Sequence, residues 1–163
     1  MKSIKIVVTE AARLMDKLAG WALMLSVFLV VANILARQIF RASILGTYEY
    51  IGYLTAAVIA LSLAYCALQN GHIAVGFLVE KFPYRLQTVV EVVTGLIALV
   101  FFGTATYHMA SYAHSTFLSG ELSPTTMLPF YPFIYLTALG LLGLCAVILV
   151  KILEAVKKVV KGA

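Results

Sequence analysis

Between Lys17 and Arg37 the chain runs without a charge, and three later stretches repeat the pattern. A helix needs roughly 20 mostly apolar residues to cross the hydrocarbon core of a bilayer. The pattern therefore predicts spans over about 18–36, 50–68, 92–117 and 129–150, the last closed by Lys151. The third stretch is long enough to tilt, although length alone fixes no angle. Ahead of the first span, Ile4, Val7, Val8, Ala11, Leu14, Met15 and Leu18 recur at helical spacing. Lys2, Lys5, Thr9, Arg13 and Asp16 take the other face, which predicts an amphipathic helix over 1–17 lying in the membrane interface. Residues 73–82 have the makings of a second interfacial helix, ended or kinked by Pro83. Between the last two spans, Gly120, Pro124, Pro129 and Pro132 favour turns and extended chain. No internal repeat is visible, so the inverted-repeat core of many transporters is not expected.

The fold class read from this pattern is an all-α membrane protein, one four-span domain over 1–163 with interfacial amphipathic helices. Composition strengthens it. The chain is 63% apolar and 12% charged, with a mean hydropathy of +1.00, whereas soluble domains carry about a quarter charged residues. The net charge of +5 does not indicate nucleic acid, because the basic residues sit at the ends of apolar runs, where lipid head groups lie. Their distribution orients the chain. Lys2, Lys5, Arg13, Lys17, Lys81, Arg85, Lys151, Lys157, Lys158 and Lys161 fall on one side of a four-span arrangement. Only Arg37 and Arg41 fall on the other. The positive-inside rule then puts both termini in the cytoplasm. The run after Lys17 is too long for a signal peptide and no small-x-small cleavage site follows it, so it reads as a retained span.

The search for chemistry returns little. Glu10 and Asp16 belong to the polar face of the first helix, and Glu80 and Glu91 flank a basic loop. No two acids share a span, so neither an acid–base pair nor a carboxylate proton relay is expected. No phosphate loop or nucleophile elbow appears, and no cofactor is expected. Cys66 and Cys145 lie far apart within spans and read as small apolar fillers. His72 lies past the second span, while His108 and His114 lie in the outer half of the third; six residues set those two about 120° apart on a helix. Axial haem ligation by the three is therefore disfavoured.

Packing features are clearer. Gly52, Ala56, Ala60 and Ala64 fall at every fourth position, a small-residue run that lets another helix approach closely, either within this chain or from another subunit. Alanine-rich spans also produce such runs without function. Asn33, inside the first span, is expected to hydrogen-bond to a neighbouring helix. Arg37 and Arg41 follow that span and Glu49 precedes the next, so an Arg–Glu contact across the short loop is expected to tie the two together. Trp21, Tyr48, Tyr50, Tyr131 and Tyr135 sit near span ends, as interfacial aromatics do.

Taken in order, these residues resemble the small membrane subunit of tripartite ATP-independent periplasmic (TRAP) transporters. The likeness runs from Asn33 and Arg37 through Ile44 and Glu49 to the alanine-rich end of the second span. It continues in Gly71-His72-Ile73-x-Val75, Leu78, Pro83 and Arg85, and in Leu128-Pro129 before the last span. Gly-His-Ile-x-Val is its most specific piece. Relatives often carry Asp where this chain has Gly76, and a basic residue where it has Gln69 or Asn70. The resemblance implies a non-catalytic scaffold in the bacterial inner membrane. Its partners would be a large multi-span subunit of the elevator type, which carries substrate and sodium sites, and a periplasmic binding protein that delivers an organic acid such as a dicarboxylate or a sialic acid. Asn33, Arg37, Arg41, Glu49 and His72 would then be structural, lipid or partner contacts, and Glu121 a contact for the binding protein. Rival readings are a self-contained homo-oligomeric channel or exporter, the membrane anchor of a respiratory enzyme, and the small subunit of a tricarboxylate uptake system. The first would be marked by an acid deep in a span, which this chain lacks, and the second by a haem spectrum.

Overall fold

A computed structural model describes residues 2–69 and 84–161. Four helices account for nearly all of them: α1 (Lys2–Phe40), α2 (Thr47–Leu68), α3 (Tyr84–Ser119) and α4 (Tyr131–Lys161). Each contains a window long and apolar enough to cross a membrane. The expected interfacial helix over 73–82 lies outside the described residues. Among the described residues the one β feature is an isolated bridge between Leu122 and Pro129.

The first helix departs from expectation. The amphipathic segment is helical, but it runs into the span without a break, giving a single helix of 39 residues. At 1.5 Å per residue this is about 58 Å, nearly twice the thickness of a hydrocarbon core. Nothing between Lys17 and Leu18 turns the chain; both flanks favour helix, and Gly20 costs only about 1 kcal/mol against alanine. The apolar face is also divided. Val8, Ala12 and Met15 turn toward α2 and α4, whereas Val7, Leu14 and Leu18 stay exposed.

The helices form a row rather than a closed bundle: α1 lies against α2, α2 against α4, and α4 against α3, with α1 leaning lightly across to α4. α3 makes at most marginal contact with α1 or α2 among the described residues. The two loops α1–α2 and α3–α4 share one end of the row. The other end brings the chain's terminal segments together, where Lys5 Nζ reaches Glu154 at 2.6 Å. An accessible surface of 11279 Å² is the consequence; a compact soluble protein of this mass exposes about 8,000 Å². Trp21, Met24, Phe28, Ile97, Val100 and Phe101 are among the large apolar side chains left outside. Such a surface is suited to lipid and protein neighbours, not to water.

Small residues set the close packing. The inward seam of α1 runs Val8, Ala12, Met15, Ala19, Ala22, Ser26, Leu29, Asn33 and Ala36, alternating steps of four and three. This is the 3.5-residue repeat that keeps a seam facing its partner along a long helix. On α4, a Cβ added to Gly140 would lie 2.5 Å from the carbonyl carbon and oxygen of Ala60, so the two backbones touch there. One turn on, Gly143 accommodates Met15 of α1 and Ala64 of α2.

Candidate functional site

Among the described residues a dense polar construction gathers at the loop end, around Glu49. The chain leaves α1 through Arg41, whose φ is 54°, and enters α2 at Gly46, φ 78°. Left-handed backbone favours glycine, and here space demands it too, since a Cβ at Gly46 would overlap Thr126 Cγ2. Asn33 Oδ1 accepts the Ile44 N–H at 2.9 Å, and the buried Thr47 donates its hydroxyl to the Ile44 carbonyl at 2.7 Å. The partner of Asn33 is thus the loop rather than a neighbouring helix, because at its height the seam of α1 faces the connection to α2.

Glu49 occupies the first turn of α2, where unpaired backbone N–H groups favour a negative charge. Its carboxylate accepts the Ser123 hydroxyl, the Thr125 N–H at 3.0 Å, the Thr126 N–H at 3.3 Å and the Thr126 hydroxyl at 3.0 Å. An ionised carboxylate is acceptor-only, with room for about four donors, and the α3–α4 loop supplies four, three to Oε2 and one to Oε1. Among the described residues Glu49 makes no ion pair with Arg37 or Arg41, contrary to expectation. The loop donors are held in place at short range, while a bond to Arg37 would have to order a long exposed side chain.

The loop is built to present those donors. Gly120, φ 66°, ends α3. Ser123 N–H then bonds the Leu128 carbonyl at 2.9 Å, and Met127 N–H, with φ 54° at Met127, bonds the Ser123 carbonyl at 3.0 Å. Ser123 is fully buried. Below it Tyr53 of α2 stacks on Phe130 and Phe133, centroids 6.0 and 5.2 Å away, and Phe117 meets Tyr131 edge-on at 5.1 Å. The assembly binds α2 to the α3–α4 connection through the Glu49 carboxylate, three of its four bonds falling on Oε2 and one on Oε1. Glu121 is exposed in the same loop, and Arg37 and Arg41 are exposed on the neighbouring one. Arg37 also lines an open groove of about 240 Å³ with Asn33, Gln38, Thr47 and Tyr48. His72 lies outside the described residues. Among the described residues no set of His, Cys, Asp and Glu side chains is grouped to hold a metal.

The small-residue run on α2 divides. Ala60 and Ala64 are buried against α4, but Gly52 and Ala56 are exposed. A strict four-residue step drifts about 40° per repeat around an α-helix, so Gly52 stands about 120° from Ala64. The buried face is instead Ala57, Ala60, Leu61, Ala64 and Ala67, whose mixed steps of three and four stay on one side. Its complement, Gly140 and Gly143, carries a readable signal: two glycines three apart in an apolar run.

The family model described as tripartite ATP-independent periplasmic transporters, DctQ component, matches residues 26–158. The chain belongs to the DctQ family. Neither a curated protein nor a solved structure matches it. The DctQ match takes in all of α2 and α3, the loop-end knot, most of α4 and residues 26–40 of α1, and leaves residues 2–25 of α1, the amphipathic turns among them, outside. With four helices able to cross a bilayer, the DctQ chain is an integral membrane protein and a transporter component.

Proposed function

We propose that this DctQ chain is the non-catalytic scaffold of a binding-protein-dependent, sodium-driven transporter for an organic acid in the bacterial inner membrane. It supports a large elevator-type subunit, and both its termini face the cytoplasm. The observation that carries the reading is the family match over 26–158. The architecture is consistent with it: the carboxylate best placed for chemistry, Glu49, is consumed in holding two loops together. A body that stays still while a partner moves benefits from such a clasp. The distribution of basic residues, ten toward the terminal end and two toward the loop end, supports the orientation. On this reading Arg37, Arg41 and Glu121 stand on the periplasmic side, available to the binding protein, and His72 lies on the cytoplasmic side.

Affinity purification of a tagged copy from its native host in mild detergent, with mass spectrometry of what accompanies it, tests the proposal. A stoichiometric many-span membrane protein is the expected companion, and its identity points to the substrate class. Recovery of the chain alone as a stable homo-oligomer sinks the scaffold reading in favour of a self-contained channel or exporter. A haem spectrum in the preparation points to a respiratory anchor instead.

A further inference from the structure

α3 carries a polar stripe on the side that faces away from the rest of the protein. Thr104, His108, Ser111 and Ser115 are all exposed. At about 100° per residue they fall within about 60° of one another around the helix. Ala113 and Thr116, fully buried on the α4 side, lie opposite. Thr104 returns its hydroxyl to its own helix, to the carbonyls of Val100 and Phe101. Among the described residues nothing hydrogen-bonds to the side chains of His108, Ser111 or Ser115; the His108 ring makes only an edge contact with Tyr107.

The depth of the stripe follows from register. Thr106 meets Cys145 at 3.9 Å and Phe117 meets Tyr131 at 5.1 Å. Residues 106–117 of α3 therefore run level with 131–145 of α4, inside the charge-free run that α4 maintains up to Lys151. His108 accordingly sits near mid-membrane, deeper than its position in the apolar stretch of α3 suggests. An imidazole and two hydroxyls turned toward hydrocarbon are costly, and such groups in membrane helices face protein or water. The opposite edge of the row behaves differently. In the span portion of α1, Ser26 bonds the Ala22 carbonyl and Asn33 the Ile44 N–H, while the outward face is Trp21, Met24, Phe28, Val31 and Leu35. One edge is dressed for lipid and the other is not.

Toward the terminal end the same face of α3 continues as Val93, Ile97 and Val100, all exposed. From Val93 to Ser115 it extends about 33 Å, the length of one complete membrane crossing. We propose that this face of α3 seats a membrane-spanning helix of the large partner subunit, apolar in one half and presenting hydrogen-bonding side chains, such as a carboxamide or carboxylate, at the depth of His108. The proposal rests on the transporter-subunit reading and adds to it the edge and the chemistry of docking. Hydroxyls and a neutral imidazole both donate and accept, so their chemistry alone does not exclude a second copy; the large subunit is chosen because the family match makes this chain one component of a tripartite transporter.

The test places the photo-crosslinking residue benzoylphenylalanine at Ser111 or at Phe28 in the full-length chain, expressed with its native partners in host membranes. Position 111 is expected to cross-link to the many-span protein that co-purifies in stoichiometric amount, and position 28 is not. The double substitution His108→Leu and Ser111→Leu is expected to lower recovery of that protein about tenfold, the loss of one or two interhelical hydrogen bonds. Circular dichroism and gel filtration of the variant should match those of the unaltered chain. Cross-linking of position 111 to a second copy, or to lipid only, overturns the proposal. Cross-linking of the large subunit through position 28 instead overturns this face yet keeps the transporter reading, whereas the absence of any large subunit defeats both.

Discussion

At the scale of single residues the loop-end knot is the part most open to test. Gly46 combines a left-handed backbone with the close approach of Thr126 Cγ2, and the two contributions separate. Gly46→Ala is expected to lower stability by about 1–2 kcal/mol from the backbone term alone, and by more once the clash is added. Thr126→Ser keeps the hydroxyl that Glu49 accepts and removes the offending methyl. The pair should therefore cost less together than the sum of the singles in thermal denaturation in detergent; strict additivity would mean that the two do not touch. Glu49→Gln places an amide NH2 among four donors, so it should lower Tm, while Arg37→Ala leaves Tm unchanged. The reverse order would restore the Arg37–Glu49 pairing that the sequence suggests. That pairing was the natural reading because twelve positions separate the two residues, whereas the actual donors lie 74–77 positions away. Nothing local in Ser123, Thr125 or Thr126 announces them, since Ser and Thr in a proline-rich loop look like ordinary turn residues.

At the scale of elements the helices are held by small residues. Gly140→Ala drives a methyl into the backbone of Ala60, and overpacking of this kind costs about 1–3 kcal/mol. Gly52 has nothing within 4 Å of an added Cβ, so Gly52→Ala should leave the isolated chain as stable as before or slightly more so. Equal losses at both positions, measured by thermal unfolding in one detergent, would contradict the assigned packing faces. The four spans were legible from charge-free runs because burial in lipid suppresses charge on every side of a helix at once. The packing faces were harder for the same reason: when polar residues are excluded all round, amphipathic contrast fades and only residue size remains. Size marks the α1 seam, since Ala12, Ala19, Ala22, Ser26 and Ala36 all occupy positions of its alternating four-and-three repeat. A search for strict four-residue spacing passes over it and selects Gly52 and Ala56, which drift off the buried face.

At the scale of the whole molecule, the row of helices has two ends and two edges, and each is distinct. The terminal end gathers Lys5, Glu91, Lys151 and Glu154 around a groove of about 230 Å³; the loop end has two arginines against Glu49 and Glu121. Since Lys5 and Glu154 meet, the terminal segments share a side, and orientation becomes a single binary choice. The positive-inside rule makes it by ten basic residues to two, and a thiol assay can check it. In a chain whose Cys66 and Cys145 are replaced by alanine, one cysteine is introduced at Glu121 or at Lys157, both exposed. A membrane-impermeant maleimide applied to cells with an intact inner membrane is expected to label the cysteine at 121, and to reach the one at 157 only after lysis. The mirror result would turn the molecule over, placing the knot and Glu121 in the cytoplasm, out of reach of any periplasmic partner. Labelling of both before lysis would be worse for the reading, because it would break the even number of crossings on which the orientation depends.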